Sequence, residues 1–165
     1  VAIIVRTVLL LTLTIASKVV VADIPRIDLV KVAKSERVLY LMSGGRVVRE
    51  FPVTFGGRST GHKQQEGDER TPEGTYILDF KKPDSRFFKS IHIDYPNAAD
   101  REAARRRGVA PGGDIFIHGQ RNGLGWLSFV VQHFNWTDGC IALADDDMQE
   151  VWELVRVPTP VHIAP

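Results

Sequence analysis

A mainly antiparallel β domain with one or two helices on its surface is the fold class this sequence predicts. Three observations lead there. Short runs rich in Val, Ile, Leu, Tyr and Phe recur after the first two dozen residues. Glycine and proline turns separate these runs. Only two stretches carry the signals that start and stop a helix.

The stretch RVLYLMSGGRVVREFPVTFGG, 37–57, holds two β-rich runs either side of Ser43-Gly44-Gly45. Glycine accepts φ > 0 without a Cβ clash, so this reads as a hairpin. TPEGTYILDF, 71–80, repeats the theme. Pro72 and Gly74 make a turn, after which Tyr76, Leu78 and Phe80 alternate with Ile77 and Asp79, the period of a strand. FFKSIHIDY and DIFIH are further short apolar runs. Asn97 is placed to cap a helix through AADREAARRRG, which Gly108 ends. The basic run at 105–107 falls where cations complement the helix dipole and reads as a solvated face. In DDDMQEVWELV the acids favour a helix start, and Met148, Val151, Trp152 and Val155 share one apolar face suited to lying on a sheet.

Residues 1–22 read as a secretory signal peptide. Arg6 precedes an apolar run from Val8 to Leu11, extended by Leu13, Ile15 and Ala16, with Val20 and Ala22 as small residues before Asp23. An uncleaved membrane anchor is the alternative, although Thr12, Thr14, Ser17 and Lys18 suit poorly a span that needs about 20 apolar residues. Residues 23–165 then form one domain with room for a core. The chain carries 21 Lys and Arg against 20 Asp and Glu. Removing a leader that holds Arg6, Lys18 and no acid leaves it near neutral, which argues against a nucleic-acid partner.

Cys140 is the only cysteine. In an oxidising compartment a lone cysteine is a buried small hydrophobe, a partner for another chain or a reactive thiol. Its surroundings, NWTDGCIAL, point to the last. A thiol with a pKa of about 8.5 is mostly protonated at neutral pH and needs an activator. The acidic helix begins several residues beyond Cys140, so its dipole is a poor one. His118, at the end of the strand DIFIH and followed by Gly119, is the natural base. His92 and His133 could join His118 and Cys140 around zinc only in principle, since no CxxC, HExxH or short His-x-His spacing is present. No metal or organic cofactor is expected.

IHG followed by TDGCIAL resembles the His-Gly … Ser/Thr-x-Gly-Cys signature of the L,D-transpeptidases, the YkuD-like catalytic domain. TPEGTY resembles the turn that precedes the signature in that family, and the 37–57 stretch looks like its opening hairpin. The similarity runs from about Lys31 to Ile163. It implies a β-sandwich of mixed and antiparallel strands with the thiol in a groove. Cys140 is then the nucleophile, His118 the general base, and the Gly119 carbonyl the group that orients the imidazole. Backbone N–H groups of Asp138, Gly139 and Cys140 are implied as the oxyanion hole. The implied substrate is the peptidoglycan stem peptide. A thioester on its third residue would be resolved by an amine of another stem, a protein lysine or water.

Two positions depart from that pattern. Asp138 stands where histidine is common, and Ala142 where arginine is common. Arg121, three residues after His118, is expected to pair with Asp138 and to meet a substrate carboxylate. Trp126, Trp136 and Thr137 are the other substrate-binding candidates, with core packing the alternative for the tryptophans. His62 and His162 read as structural or solvated. A non-catalytic wall-binding module of the same fold is the rival function. A papain-like protease fits worse, because there the cysteine precedes its histidine. If the leader is cleaved, N-terminal sequencing of protein from an exporting host will find a chain starting at or near Asp23. Full-length chain in the membrane fraction would establish an anchor instead.

Overall fold

The computed structural model describes residues 25–165, so the leader expected over 1–22 lies outside the described residues. Eight strands are present: β1 (Leu29–Ala33), β2 (Val38–Ser43), β3 (Arg46–Pro52), β4 (Gly74–Lys82), β5 (Ser90–Ile93), β6 (Phe116–His118), β7 (Ile141–Ala142) and β8 (Thr159–Ala164). They join in one mixed sheet in the order β3-β2-β1-β8-β4-β5-β6-β7. The β1–β8 and β6–β7 pairings are parallel, and the others are antiparallel. Just past β3, Thr54 bridges to Ala142 of β7 and Gly56 bridges to Thr137. These bridges bring the two ends of the strand order together, so the sheet curls around a core that includes Leu39, Leu41, Phe55, Leu78, Ile117 and Ile141.

Three helices accompany the sheet: α1 (Ala98–Arg107), α2 (Ser128–Val131) and α3 (Asp145–Leu154). In α1 the Asn97 side chain accepts from the Ala99 and Asp100 N–H groups, Asp100 reciprocates to the Asn97 N–H, and Gly108 ends the helix at φ 69°. α3 buries Met148 and Val151. The short α2, entered through a 3-10 turn at Gly125–Leu127, has no side-chain cap to announce it in the sequence.

The alternation expected along β4 fails at one place. Tyr76 and Leu78 are buried, but the register against β5 shifts between Leu78 and Lys81, and Phe80 turns outward. An extra residue in one strand sends the next side chain to the opposite face.

The segment 57–73 packs against the turn before β7 at Arg70 and Gly139, and two buried lysines tie it down. Lys34 Nζ donates to Gly61 O (2.8 Å) and Glu73 Oε1 (2.7 Å). Lys63 Nζ reaches Asp68 Oδ1 at 2.9 Å. Asp68 also accepts from the N–H groups of Gln64, Gln65 and Arg70. Burial opposes its charge, yet these hydrogen bonds together lower its pKa to about 2. A carboxyl held below its unfolded value contributes stability above that value and loses it as pH falls. Asp68→Asn is therefore expected to cost about 3 kcal/mol in urea unfolding at pH 7, the penalty for leaving a buried lysine unpaired. The gap from wild type should narrow as pH drops from about 4 towards 2.

Candidate active site

His118 ends β6 and Cys140 immediately precedes β7. The strands pair in parallel, with Ile117 against Ile141 and His118 against Ala142. Side chains alternate along a strand, so Cys140, two before Ala142, faces the same side as His118 and lies beside Phe116. Both residues line one open cleft of about 750 Å³.

The His118 ring is buried, with Nδ1 2.6 Å from the Gly119 carbonyl. A carbonyl only accepts, so Nδ1 carries the hydrogen and Nε2 is the basic nitrogen. Phe87 lies 4.7 Å and Trp136 5.8 Å from the imidazole, centroid to centroid. Burial lowers the imidazole pKa to about 4, against a smaller upward pull from Gly119. His118 is thus neutral at pH 7.

Two residues outside the expected site, Asp145 and Gln120, fix the His-Gly turn. Asp145, at the start of α3, accepts from the Gln120 N–H at 2.7 Å. The Gln120 side chain, itself buried, donates to Leu143 O at 2.6 Å. A Cβ on Gly119 would stand 2.6 Å from Asp145 Oδ1, so glycine is required there by packing. In the sequence Asp145 showed only as one acid of a favourable helix start.

Cys140 is partly exposed, and its Sγ donates to Asp114 O at 3.6 Å. Burial raises the thiol pKa to about 11. The Phe116 backbone and Lys63 pull it down, while Asp138 and Asp114 push it up. Thr137 braces the turn before the thiol. Its hydroxyl donates to Cys140 O (2.8 Å) and accepts from the Gly139 N–H (3.2 Å). Gly139, at φ 121°, lies so near the Arg70 carbonyl that a Cβ would stand 2.5 Å from that oxygen. Its close approach is to the 57–73 segment. Its N–H, expected in an oxyanion hole, is already engaged.

Of the expected substrate contacts, Arg121, Trp136 and Thr137 line the cleft. Thr137 is buried with its hydroxyl committed to the turn. Trp126 is 70% exposed and does not line the cleft, which Leu124 and Leu127 on either side of it do. The expected Arg121–Asp138 ion pair is absent among the described residues. Arg121 belongs to a turn fastened to the β4–β5 loop, where the Asn122 N–H donates to Arg86 O (3.0 Å) and Asn122 Oδ1 accepts from the Phe88 N–H (2.8 Å). Ala142 is fully buried in the closing seam, with N–H and carbonyl both bonded to Thr54. No three His, Cys, Asp or Glu side chains converge as a metal site among the described residues. His92 lies on β5, paired with Asp79 at 2.7 Å.

A curled mixed sheet with a histidine and a cysteine on adjoining strand ends defines a class of β domain, and comparison with known proteins gives the family. The chain belongs to the YkuD family, the L,D-transpeptidase catalytic domain, whose family model matches residues 27–163. That family acts on peptidoglycan stem peptides. YafK of Escherichia coli (strain K12) is 28% identical over 132 residues, covering 76% of this chain and 46% of that protein. The chain thus spans about half the length of the curated relatives it matches. The helical cell shape determining protein Pgp2 from Campylobacter jejuni superposes with a TM-score of 0.64 at 25% identity, over 84% of this chain and 48% of that one. An L,D-transpeptidase from Mycobacterium smegmatis shares the fold at 17% identity, with a TM-score of 0.56 over 83% of this chain and 58% of that one.

The thiol's surroundings set its pH behaviour. Iodoacetamide alkylation of Cys140 should rise roughly tenfold per pH unit from pH 7 towards 10, as expected for a group that ionises near 11. Asp138→Asn should move the profile to lower pH, and Arg121→Ala should leave it in place. A wild-type plateau below pH 8 would contradict this assignment.

Proposed function

We propose that this chain is an exported cysteine acyltransferase of the cell envelope that acts on peptidoglycan stem peptides. The observation that carries the reading is the neutral His118, fixed by the Gly119 carbonyl with Nε2 as its basic nitrogen, in one cleft with Cys140. Family membership supports the substrate class. Export is supported by the leader pattern in the sequence and by the family's place among bacterial cell-wall enzymes.

In the first half-reaction the Cys140 thiol attacks the carbonyl of the stem's third residue while Nε2 of His118 takes its proton. A thiol and an imidazole that are both neutral in the free protein require the proton to move as the C–S bond forms. The backbone N–H groups of Asp138 and Cys140 hold the oxyanion, each worth roughly 3 kcal/mol. The imidazolium then gives its proton to the nitrogen of the terminal residue, the C–N bond breaks, and a thioester remains on Cys140. In the second half an amine of another stem or of a protein lysine, or water, loses a proton to Nε2 and attacks the thioester. The thiolate leaves and is reprotonated.

Incubation with a tetrapeptide stem, or with a carbapenem as a slow acylating probe, should add one acyl group to Cys140 by intact mass. Cys140→Ser should form no adduct, because a hydroxyl is far less acidic than a thiol. His118→Ala should slow acylation by about 10²–10⁴-fold. An unreactive wild-type thiol would favour the non-catalytic, wall-binding reading of the same cleft.

A further inference from the structure

The bulge in β4 does more than expose one phenylalanine. Between Leu78 and Lys81 three steps along β4 match two along β5, so Asp79 and Phe80 both stand opposite His92. His92 Nδ1 lies 2.7 Å from Asp79 Oδ1, and its ring stacks on Phe80 at 4.5 Å and 18°. Phe116 meets His92 edge-on at 5.0 Å and Phe80 at 6.0 Å. His92 is the β5 partner of Phe116, and Phe116 lies beside Cys140 in the β6–β7 register. Phe80, His92, Phe116 and Cys140 therefore form a row across the strands, and Phe116 joins its outer part to the cleft.

We propose that the outer part of this row, Phe80 with His92 and Asp79, binds the N-acetylated amino sugar to which the stem peptide is attached. The inference rests on the reading of Cys140 as acting on such stems. Reach supports it. Strands lie about 4.8 Å apart, which sets His92 about 10 Å and Phe80 about 14 Å from Cys140 along the row. An extended peptide covers about 3.5 Å per residue. With the third residue's carbonyl at Cys140, the first residue falls near His92 and the sugar on its amine lies over Phe80.

The chemistry agrees. β5 and β6 are interior strands with a partner on each side, so the face above them offers a ligand its side chains. A peptide strand would find no ladder partner there. A pyranose ring has an apolar C–H face for the aromatic ring and hydroxyls at its edge. Asp79 and Phe80 are 40% and 44% exposed, so a carboxylate acceptor and a free aromatic face stand side by side. The imidazole bound to Asp79 Oδ1 fixes the carboxylate in place.

The test compares two donors, the free tetrapeptide stem and the same stem on its disaccharide. Wild type is expected to favour the sugar-bearing donor by about tenfold in kcat/KM, the scale of one aromatic contact. In Phe80→Ala that ratio should fall close to one, and Phe80→Trp should keep it. A wild-type ratio near one, or a ratio that survives Phe80→Ala, overturns the proposal. If neither donor reacts, the acyltransferase reading fails and a second measurement decides this one. The His92 Cε1–H resonance is followed during titration with peptide-free disaccharide. A saturable shift that Phe80→Ala abolishes supports the sugar site, and no shift overturns it.

Discussion

The parallel pairing of β6 with β7 is the constraint on which the site depends. β7 is only two residues long, and its register with β6 places Cys140 on the same face as His118. Such a short strand is held from its other side, where Thr54 bonds both polar groups of the Ala142 backbone. The curl of the sheet is therefore what makes the last strand possible. Glycine at 139 completes the arrangement, since the turn into β7 passes against the Arg70 carbonyl with no room for a side chain.

That packing buries the imidazole, while the thiol stays partly exposed in the open cleft. Phe87 and Trp136 enclose His118, and burial drives both groups towards their neutral forms. Asp138 adds to this, since its charge opposes the thiolate and no ion pair with Arg121 is formed among the described residues. The site as a whole resists charge in the resting state. A substrate that excludes water while supplying a carbonyl to accept electron density would relieve that resistance during bond formation. The three cations Lys82, Arg86 and Arg121 and the three acids Asp84, Asp114 and Asp138 line the same cleft, which suits a ligand that carries both signs.

Much of this was legible in the sequence, and the exceptions share a cause. The first hairpin, the Asn97-to-Gly108 helix and the amphipathic face of α3 follow from local rules about glycine, caps and apolar period. The family signature pointed to His118 and Cys140. What the sequence hid is set by distant packing. The outward turn of Phe80 depends on a bulge defined only against β5. The brace of Asp145 on Gln120 spans 25 positions. Thr137, a substrate-binding candidate in the sequence, lines the cleft with its hydroxyl bonded to Gly139 and Cys140, a turn brace the sequence does not announce. The Arg121–Asp138 pair failed because nothing in the sequence shows that Asn122 ties that turn to the β4–β5 loop. Trp126 and Trp136 are similar in the sequence, and only the 3-10 turn separates the exposed one from the one beside His118.

The position of β8 has a consequence for how the chain acquires its shape. Thr159–Ala164 lies in the middle of the sheet, hydrogen-bonded to β1 on one side and to β4 on the other. Val30 pairs with Val161, so the two halves of the sheet meet through β8 at this seam and through the Thr54 and Gly56 bridges at the other. Folding must close a loop of nearly the whole domain before the centre exists, which makes it slow and all-or-none. Without Thr159–Ala164, β1 and β4 would each keep an open edge of unpaired backbone groups at the centre of the sheet, a template for pairing with another chain.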